Sequence, residues 1–192
     1  ARRNALLFRP NKGAFFFTKQ TTDQFFRWNM SIQIAAYKQT DIEQAIIIWN
    51  EIVTEGVAFP QTEPLTLESG DVFFSAQSYT GIARDDASGE MLGLYILHPN
   101  NVGRCGHICN ASYAVSAGAR GHGVGETLVR DCMRQAKTLG FRILQFNAVV
   151  KTNASALHLY QKLGFTQLGV IPGGFRLDDG TYEDIIPHYF VL

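Results

Sequence analysis

The residues best suited to chemistry are Arg120-Gly-His-Gly-Val-Gly125, which run directly into Glu126-Thr-Leu-Val-Arg-Asp-Cys-Met-Arg. A strand-like run at 108–115 precedes them and another at 143–150 lies beyond the helical pattern, so the glycines fall in a strand-to-helix turn. Such a turn binds anions. Glycines at alternate positions let the backbone approach a ligand, and the first N–H groups of the helix have no intrahelical partner. Together with the positive end of the helix dipole, those donors favour a phosphate. Spacing sets aside two phosphate loops: a Walker loop needs Gly-Lys followed by Ser or Thr, and a dinucleotide fingerprint needs its third glycine beyond Gly125.

The pattern Arg/Gln-x-x-Gly-x-Gly/Ala, filled by Arg120, Gly123 and Gly125, resembles the acyl-CoA pyrophosphate loop of the GNAT acetyltransferase superfamily. Downstream, Asn153-Ala-Ser-Ala-Leu-His-Leu-Tyr160-Gln-Lys-Leu-Gly-Phe165 resembles that family's following helix, and two motifs in the right order weigh far more than one. The resemblance implies an α/β (α+β) fold. Its central sheet would be mixed, mostly antiparallel and of six to seven strands, with helices on both faces and a splay between the fourth and fifth strands. It implies acetyl-CoA as co-substrate, no metal, and an acyltransferase acting on an amine. The cofactor would be held by Arg120, Gly121, His122, Gly123, Val124, Gly125 and Glu126, by Asn153 and Tyr160, and by backbone at Tyr113 and Val115. A homodimer is compatible with it.

Acetyl transfer to an amine requires a polarised thioester carbonyl, a neutral amine and a stabilised or protonated thiolate. By resemblance, the strand Asn110-Ala-Ser-Tyr113-Ala-Val115 bends from its neighbour and leaves backbone groups for the pantetheine arm and the carbonyl oxygen. Tyr160 matches the family's proton donor to the thiolate, a role open to a phenol because it is protonated at neutral pH. The competing reading of Tyr160 is an aromatic core residue. No base is assigned: Glu55, Glu63 and Glu68 lie near the expected acceptor wall, but a water chain serves many members of the superfamily.

Asn110-Ala-Ser-Tyr, Gln145-Phe-Asn147-Ala-Val-Val, Thr152-Asn153 and Pro172-Gly-Gly-Phe175 are similar to a branch that acetylates azetidine carboxylate and related proline analogues. In that branch the asparagines of the splayed strands reach the acceptor, which makes Asn110 and Asn147 substrate-side candidates. An amide can orient an amine or a carboxylate without carrying charge. Their alternative role is to bridge strands where the sheet opens. This chain departs from the branch around Tyr160, where a Trp is the rule, and in its final strand. A small-molecule amine is therefore the expected acceptor. A peptide or protein acetyltransferase and a non-catalytic acyl-CoA-binding module are the rivals; Tyr160 favours an enzyme, and the early loop with Phe59, Pro60 and Pro64 suits a closed pocket.

The elements that must position these residues follow in order. Residues 32–37 form a first strand, and Thr40-Asp-Ile-Glu43 reads as a capping box opening a helix. Ile42, Ala45, Ile46, Trp49, Ile52 and Val53 make its packed stripe, and Gly56 ends it. Residues 57–78 read as a loop and a short helix. Gly81 to Asp85 and Met91 to Leu97 form a hairpin about Asp86-Ala-Ser-Gly89, and Gly106 to Val115 a central strand. The glycine-turn helix buries Val124, Leu128, Cys132, Ala136 and Leu139 and exposes Arg130, Arg134 and Lys137, with a Glu126–Arg130 pair at i,i+4. Strands at 167–170 and 183–191 close the sheet, joined through Pro172-Gly-Gly-Phe and Asp178-Asp-Gly180.

The 192 residues, 46% hydrophobic and 18% charged, suit one catalytic domain over 30–192. Zero net charge hides an asymmetry: residues 1–29 carry six basic residues against Asp23, and six of fourteen Phe. That stretch reads as a basic extension outside the catalytic domain, ahead of a start at Met30. It lacks the uninterrupted apolar core of a secretory signal, and no run reaches the length of a membrane span. The acidic remainder, with scattered Lys and Arg, argues against nucleic-acid binding. Three cysteines point to a reducing cytoplasm. Cys105, His107 and Cys109 would share one face of a strand, but no fourth ligand has convincing spacing.

Overall fold

The computed structural model describes residues 31–192, so the extension expected over 1–29 and the start expected at Met30 lie outside the described residues. The chain runs β1 (Ile32–Ala36), α1 (Ile42–Glu55), α2 (Leu67–Ser75), β2 (Tyr79–Asp85), β3 (Met91–Pro99), β4 (Ile108–Val115) and α3 (Val124–Thr138). It continues through β5 (Ile143–Phe146), α4 (Ala154–Lys162), β6 (Thr166–Gln167), β7 (Ile171–Arg176), β8 (Tyr182–Ile185) and β9 (His188–Val191). Seven strands form one sheet in the order β1-β2-β3-β4-β5-β9-β6. Every neighbouring pair is antiparallel except β4 and β5. This is the mixed α/β architecture expected.

Strand periodicity decides what covers each face. Met91 to Leu97 are all buried, as in a strand packed on both sides. Leu94 and Ile96 join Ile82 and Ala114 under Ala45, Ile48, Trp49, Ile52 and Val53 of α1; Ile48, absent from the expected stripe, is buried, while Ile42 and Ile46 are only half-buried. Tyr95 points the other way, its hydroxyl donating to Asp131 of α3 at 2.7 Å. Helices therefore flank both faces.

Several local expectations are corrected. Asp41, not Thr40, stands at the N-cap of α1, and no side chain caps the helix: the Asp41 carboxylate accepts from the Lys38 N–H at 2.8 Å across the preceding 3-10 turn Gln39–Asp41 and pairs with Arg84. A capping box does form on α2, where Thr66 and Ser69 exchange backbone-to-hydroxyl bonds of 2.9 and 3.1 Å. Leu139 is exposed because α3 has already ended at Thr138, and Val129 takes a buried place instead. The strand expected over 143–150 stops at Phe146, because the following backbone bonds to β8: Ile186 N–H reaches Val149 O at 2.8 Å and Lys151 N–H reaches Asp184 O at 2.9 Å.

Pro172-Gly-Gly-Phe175 is not a joint but part of β7, which pairs with β8 in a separate two-stranded sheet. The strand expected over 183–191 is two, split at Ile186-Pro187, where proline has no N–H for a ladder. Cys105 lies in a 3-10 turn, not a strand, so it does not share a face with Cys109. Among the described residues no helix is long and apolar enough to cross a membrane, and no group of three His, Cys, Asp or Glu could hold a metal ion.

Gly81 stands opposite Tyr95 across β2 and β3, and a Cβ there would lie 2.3 Å from the Tyr95 ring. That ring cannot yield: it is fully buried, flanked by Tyr79 and Tyr113 and tethered to Asp131. Gly81→Val is expected to destabilise the fold by about 1–3 kcal/mol, the usual range for overpacking. A denaturant midpoint unchanged from the parent would refute the packing assigned to Tyr95.

Candidate active site

The site begins where the sheet comes apart. β4 and β5 are in register only at Ile108–Ile143 and Cys109–Leu144, although β4 continues to Val115. Ile108 O and Ser116 N–H bond toward β3, at 2.8 and 3.0 Å. By alternation the backbones of Ala111, Tyr113 and Val115 face the side that β5 has left. Asn110 Oδ1 accepts from the Ala111 N–H at 2.8 Å, and Val115 O accepts from Arg120 Nε at 3.4 Å. Tyr113 lies between them, facing a cavity of about 360 Å³.

Its walls come from five directions, one of them α3 through Gly125 and Val129. Ala58, Phe59 and Pro60 enter from the loop after α1, and Asn110 to Tyr113 and Val115 from β4. Phe146 to Val150 follow the turned-away strand, and Asn153, Leu159 and Tyr160 come from α4. The loop is fixed by side chains. Gln61 accepts from the Trp49 indole at 2.9 Å, Phe59 packs on the same ring with centroids 4.4 Å apart, and Asn50 clasps both backbone groups of Leu65. No carboxylate or imidazole lines this cavity among the described residues.

A second hollow continues from it, sharing Ala58, Tyr113, Val115, Gly125 and Asn153, and reaches the glycine turn at Arg120 and Gly121. Gly121 and Gly123 have φ of 80° and 84°, a left-handed backbone in which a side chain is strained. The first helical bond runs from Thr127 N–H to Gly123 O at 3.1 Å, leaving Val124, Gly125 and Glu126 with N–H groups lacking a helical partner. Gly125 faces α4; a Cβ there would meet Leu159 at 3.7 Å. His122 is exposed on the turn.

Charge around the turn is already balanced. Arg120 pairs with Glu55 at 2.6 Å, so that candidate base holds the arginine at the rim of the second hollow. Glu63 and Glu68 line neither hollow. The Glu126 carboxyl is held below the usual range by Lys162 and then Arg130, which offsets a negative charge in the helix's first turn.

Asn153 caps α4, accepting from Ala156 N–H at 3.1 Å, and so fixes the helix that carries Tyr160. Tyr160 is 9% exposed, with its ring against Phe146, Phe165 and His188. Burial, with a smaller contribution from Cys132, raises its phenol well above the ordinary range and keeps it protonated. Tyr113 is shifted the same way by burial, and its buried hydroxyl lacks a hydrogen-bond partner among the described residues. His188 goes unnoticed in the sequence; burial lowers its pKa, so it stays neutral, with one ring nitrogen 2.7 Å from Ile186 O.

Residues 46–165 match the family described as "Acetyltransferase (GNAT) family". The N-acetyltransferase aca1 of Schizosaccharomyces pombe is 30% identical over 166 residues, covering 75% of this chain and 79% of its own. The L-methionine sulfoximine/L-methionine sulfone acetyltransferase of Pseudomonas paraeruginosa is 28% identical over 149 residues, 74% of this chain and 85% of that one. A GCN5-related N-acetyltransferase from Kribbella flavida superposes with a TM-score of 0.77 at 34% identity, covering 84% and 98% of the two chains.

The buried phenols set an alkaline limit. Their folded pKa values lie above the unfolded value of about 10, so the stability they confer is complete below that pH and is lost as pH rises toward the folded values. The buried thiols of Cys109 and Cys132 are raised likewise by burial, so melting temperature should begin to fall at about pH 9, and beyond about pH 10 it should fall less steeply in Tyr160→Phe than in the parent. Equal slopes for parent and variant in alkaline thermal melts would contradict the burial of this phenol.

Proposed function

This chain belongs to the GNAT acetyltransferase family, and we propose that it moves the acetyl group of acetyl-CoA directly to the amine of a small, amino-acid-like molecule. The acyl donor lies along the second hollow, with its diphosphate on the N–H groups from Gly121 to Glu126 and near Arg120. The thioester enters the parting of β4 and β5. The observation that carries the reading is the half-open cavity at this parting, walled on one side by Phe59 and Pro60 and lined by Asn110, Asn147 and Tyr160. A wall of that kind suits a small acceptor better than a peptide laid across an open groove. The sulfoximine and sulfone named for the Pseudomonas relative are small amino-acid derivatives, which supports the same class.

In this reading the neutral amine attacks the thioester carbon, and the carbonyl oxygen takes up negative charge beside the unpaired backbone of β4. Collapse breaks the carbon–sulfur bond, and Tyr160 gives its proton to the leaving thiolate. Among the described residues the cavity holds no carboxylate or imidazole, so the amine's proton leaves through water. Asn110 and Asn147 orient the reacting groups. The catalytic unit is residues 30–192, with the basic stretch 1–29 outside it; three unpaired cysteines fit a reducing, cytoplasmic setting.

Two measurements test this. Acetyl-CoA at a hundred times its Kd should stabilise the protein by about 2.7 kcal/mol, and Gly123→Asp, which puts a side chain and a negative charge on a left-handed residue at the turn, should abolish most of the gain. An undiminished thermal shift in the folded variant would remove the turn from cofactor binding. Tyr160→Phe should lower kcat by about ten- to ten-thousand-fold while leaving the KM for acetyl-CoA nearly unchanged, in CoA-release assays run with L-methionine sulfone, azetidine-2-carboxylate and short peptides. Turnover of peptides alone would overturn the acceptor class, and full activity of the variant would return Tyr160 to the core.

A further inference from the structure

The amide side chains at the mouth of the cavity do not stand alone. Asn147 Nδ2 donates to Asn100 Oδ1 at 2.7 Å, and Asn100 Nδ2 donates back to Asn147 Oδ1 at 3.3 Å. Gln145 Nε2 donates to the same Asn147 oxygen at 2.9 Å. Asn100 follows the end of β3, so this reciprocal pair ties β3 to the turned-away end of β5, with β4 between them in the sheet. A primary amide has two donor hydrogens and two acceptor lone pairs. In Asn147 both lone pairs and one hydrogen are already used. One N–H is left, on a residue that lines the cavity.

We propose that Asn100 and Gln145 are positioning residues that lock the Asn147 amide so that it shows the reaction cleft a donor and no acceptor. This rests on the reading of the cavity as the acetyl-transfer site. Asn147 then cannot accept from the attacking amine's N–H. It meets an oxygen: the thioester carbonyl, or a carboxylate on the acceptor. Asn110 differs, because its oxygen is spent on the Ala111 N–H and both of its amide hydrogens lack a partner among the described residues.

Gln145→Glu decides the polarity. A carboxylate accepts and does not donate, so it repels the Asn147 oxygen and favours the amide turned over, with its oxygen toward the cleft. If a donor is needed there, Gln145→Glu lowers kcat/KM for L-methionine sulfone by roughly five- to a hundred-fold, with the acetyl-CoA thermal shift and the melting temperature unchanged. The same substitution in an Asn147→Ala background then has no further effect. An equal loss with L-methionine sulfone amide points to the thioester carbonyl, and a loss confined to the free acid points to the acceptor's carboxylate. Retained activity in Gln145→Glu means the amide presents its oxygen and overturns the proposal, as does an additive double variant. If the parent acetylates neither compound, the acceptor class fails instead, and the lock is read from the 15N-labelled full chain. There the Asn147 side-chain amide, assigned by its loss in Asn147→Asp, should show one hydrogen exchanging more slowly with water than the other; two equally fast hydrogens would refute the lock.

Discussion

Everything at this site depends on one parallel strand pair being held by two rungs. Ile108–Ile143 and Cys109–Leu144 keep β4 and β5 together, and beyond them the strands separate. Unpaired backbone groups are costly when buried, so a sheet opens in its middle only if something else satisfies them. Here Asn110 takes the first freed N–H and Arg120 the last freed carbonyl, while the backbone of Val149 and Lys151 finds new partners at β8. Tyr113 is left facing the cavity, with no strand beside it.

The electrostatic arrangement follows the same economy. A glycine turn that leaves three helical N–H groups free is attractive to an anion, yet the same first turn carries Glu126. Lys162, arriving from α4, and Arg130, one turn on, surround that carboxylate. The ion pairs are exposed and contribute little to stability by themselves. Their effect is local: they keep the field at the turn from being cancelled by its own helix.

What was legible in the sequence was what depends on a single residue type at a fixed offset. Gly121 and Gly123 occupy left-handed backbone that disfavours any side chain, and Asn153 caps the helix it precedes, so these features show in the letters themselves. The hairpin and the α1 stripe were legible for the same reason, since periods of 2 and 3.6 are local. The tail was not. Residues 147–150 look as β-prone as 143–146, and only the competing partner at β8 bends them away. Nor was the Asn100–Asn147 pair, whose members are 47 residues apart and reach each other across a strand. Thr40 resembled a cap, but Asp41 with its Arg84 partner stands one residue nearer the helix.

The position of β9 has a consequence for the order in which this molecule can be made. It is the last described strand in sequence, yet it lies between β5 and β6 and pairs with both. β1 to β4 find three of their pairings among themselves, all within residues 32–115, so that part of the sheet can form before the tail is made. β5 has two rungs to β4 and four to β9, and the aromatic wall behind Tyr160 includes His188 of β9. During synthesis the glycine turn can therefore exist before the wall that seats the phenol. Until residues 188–191 arrive, the half of the molecule holding β5, β6 and α4 has no middle.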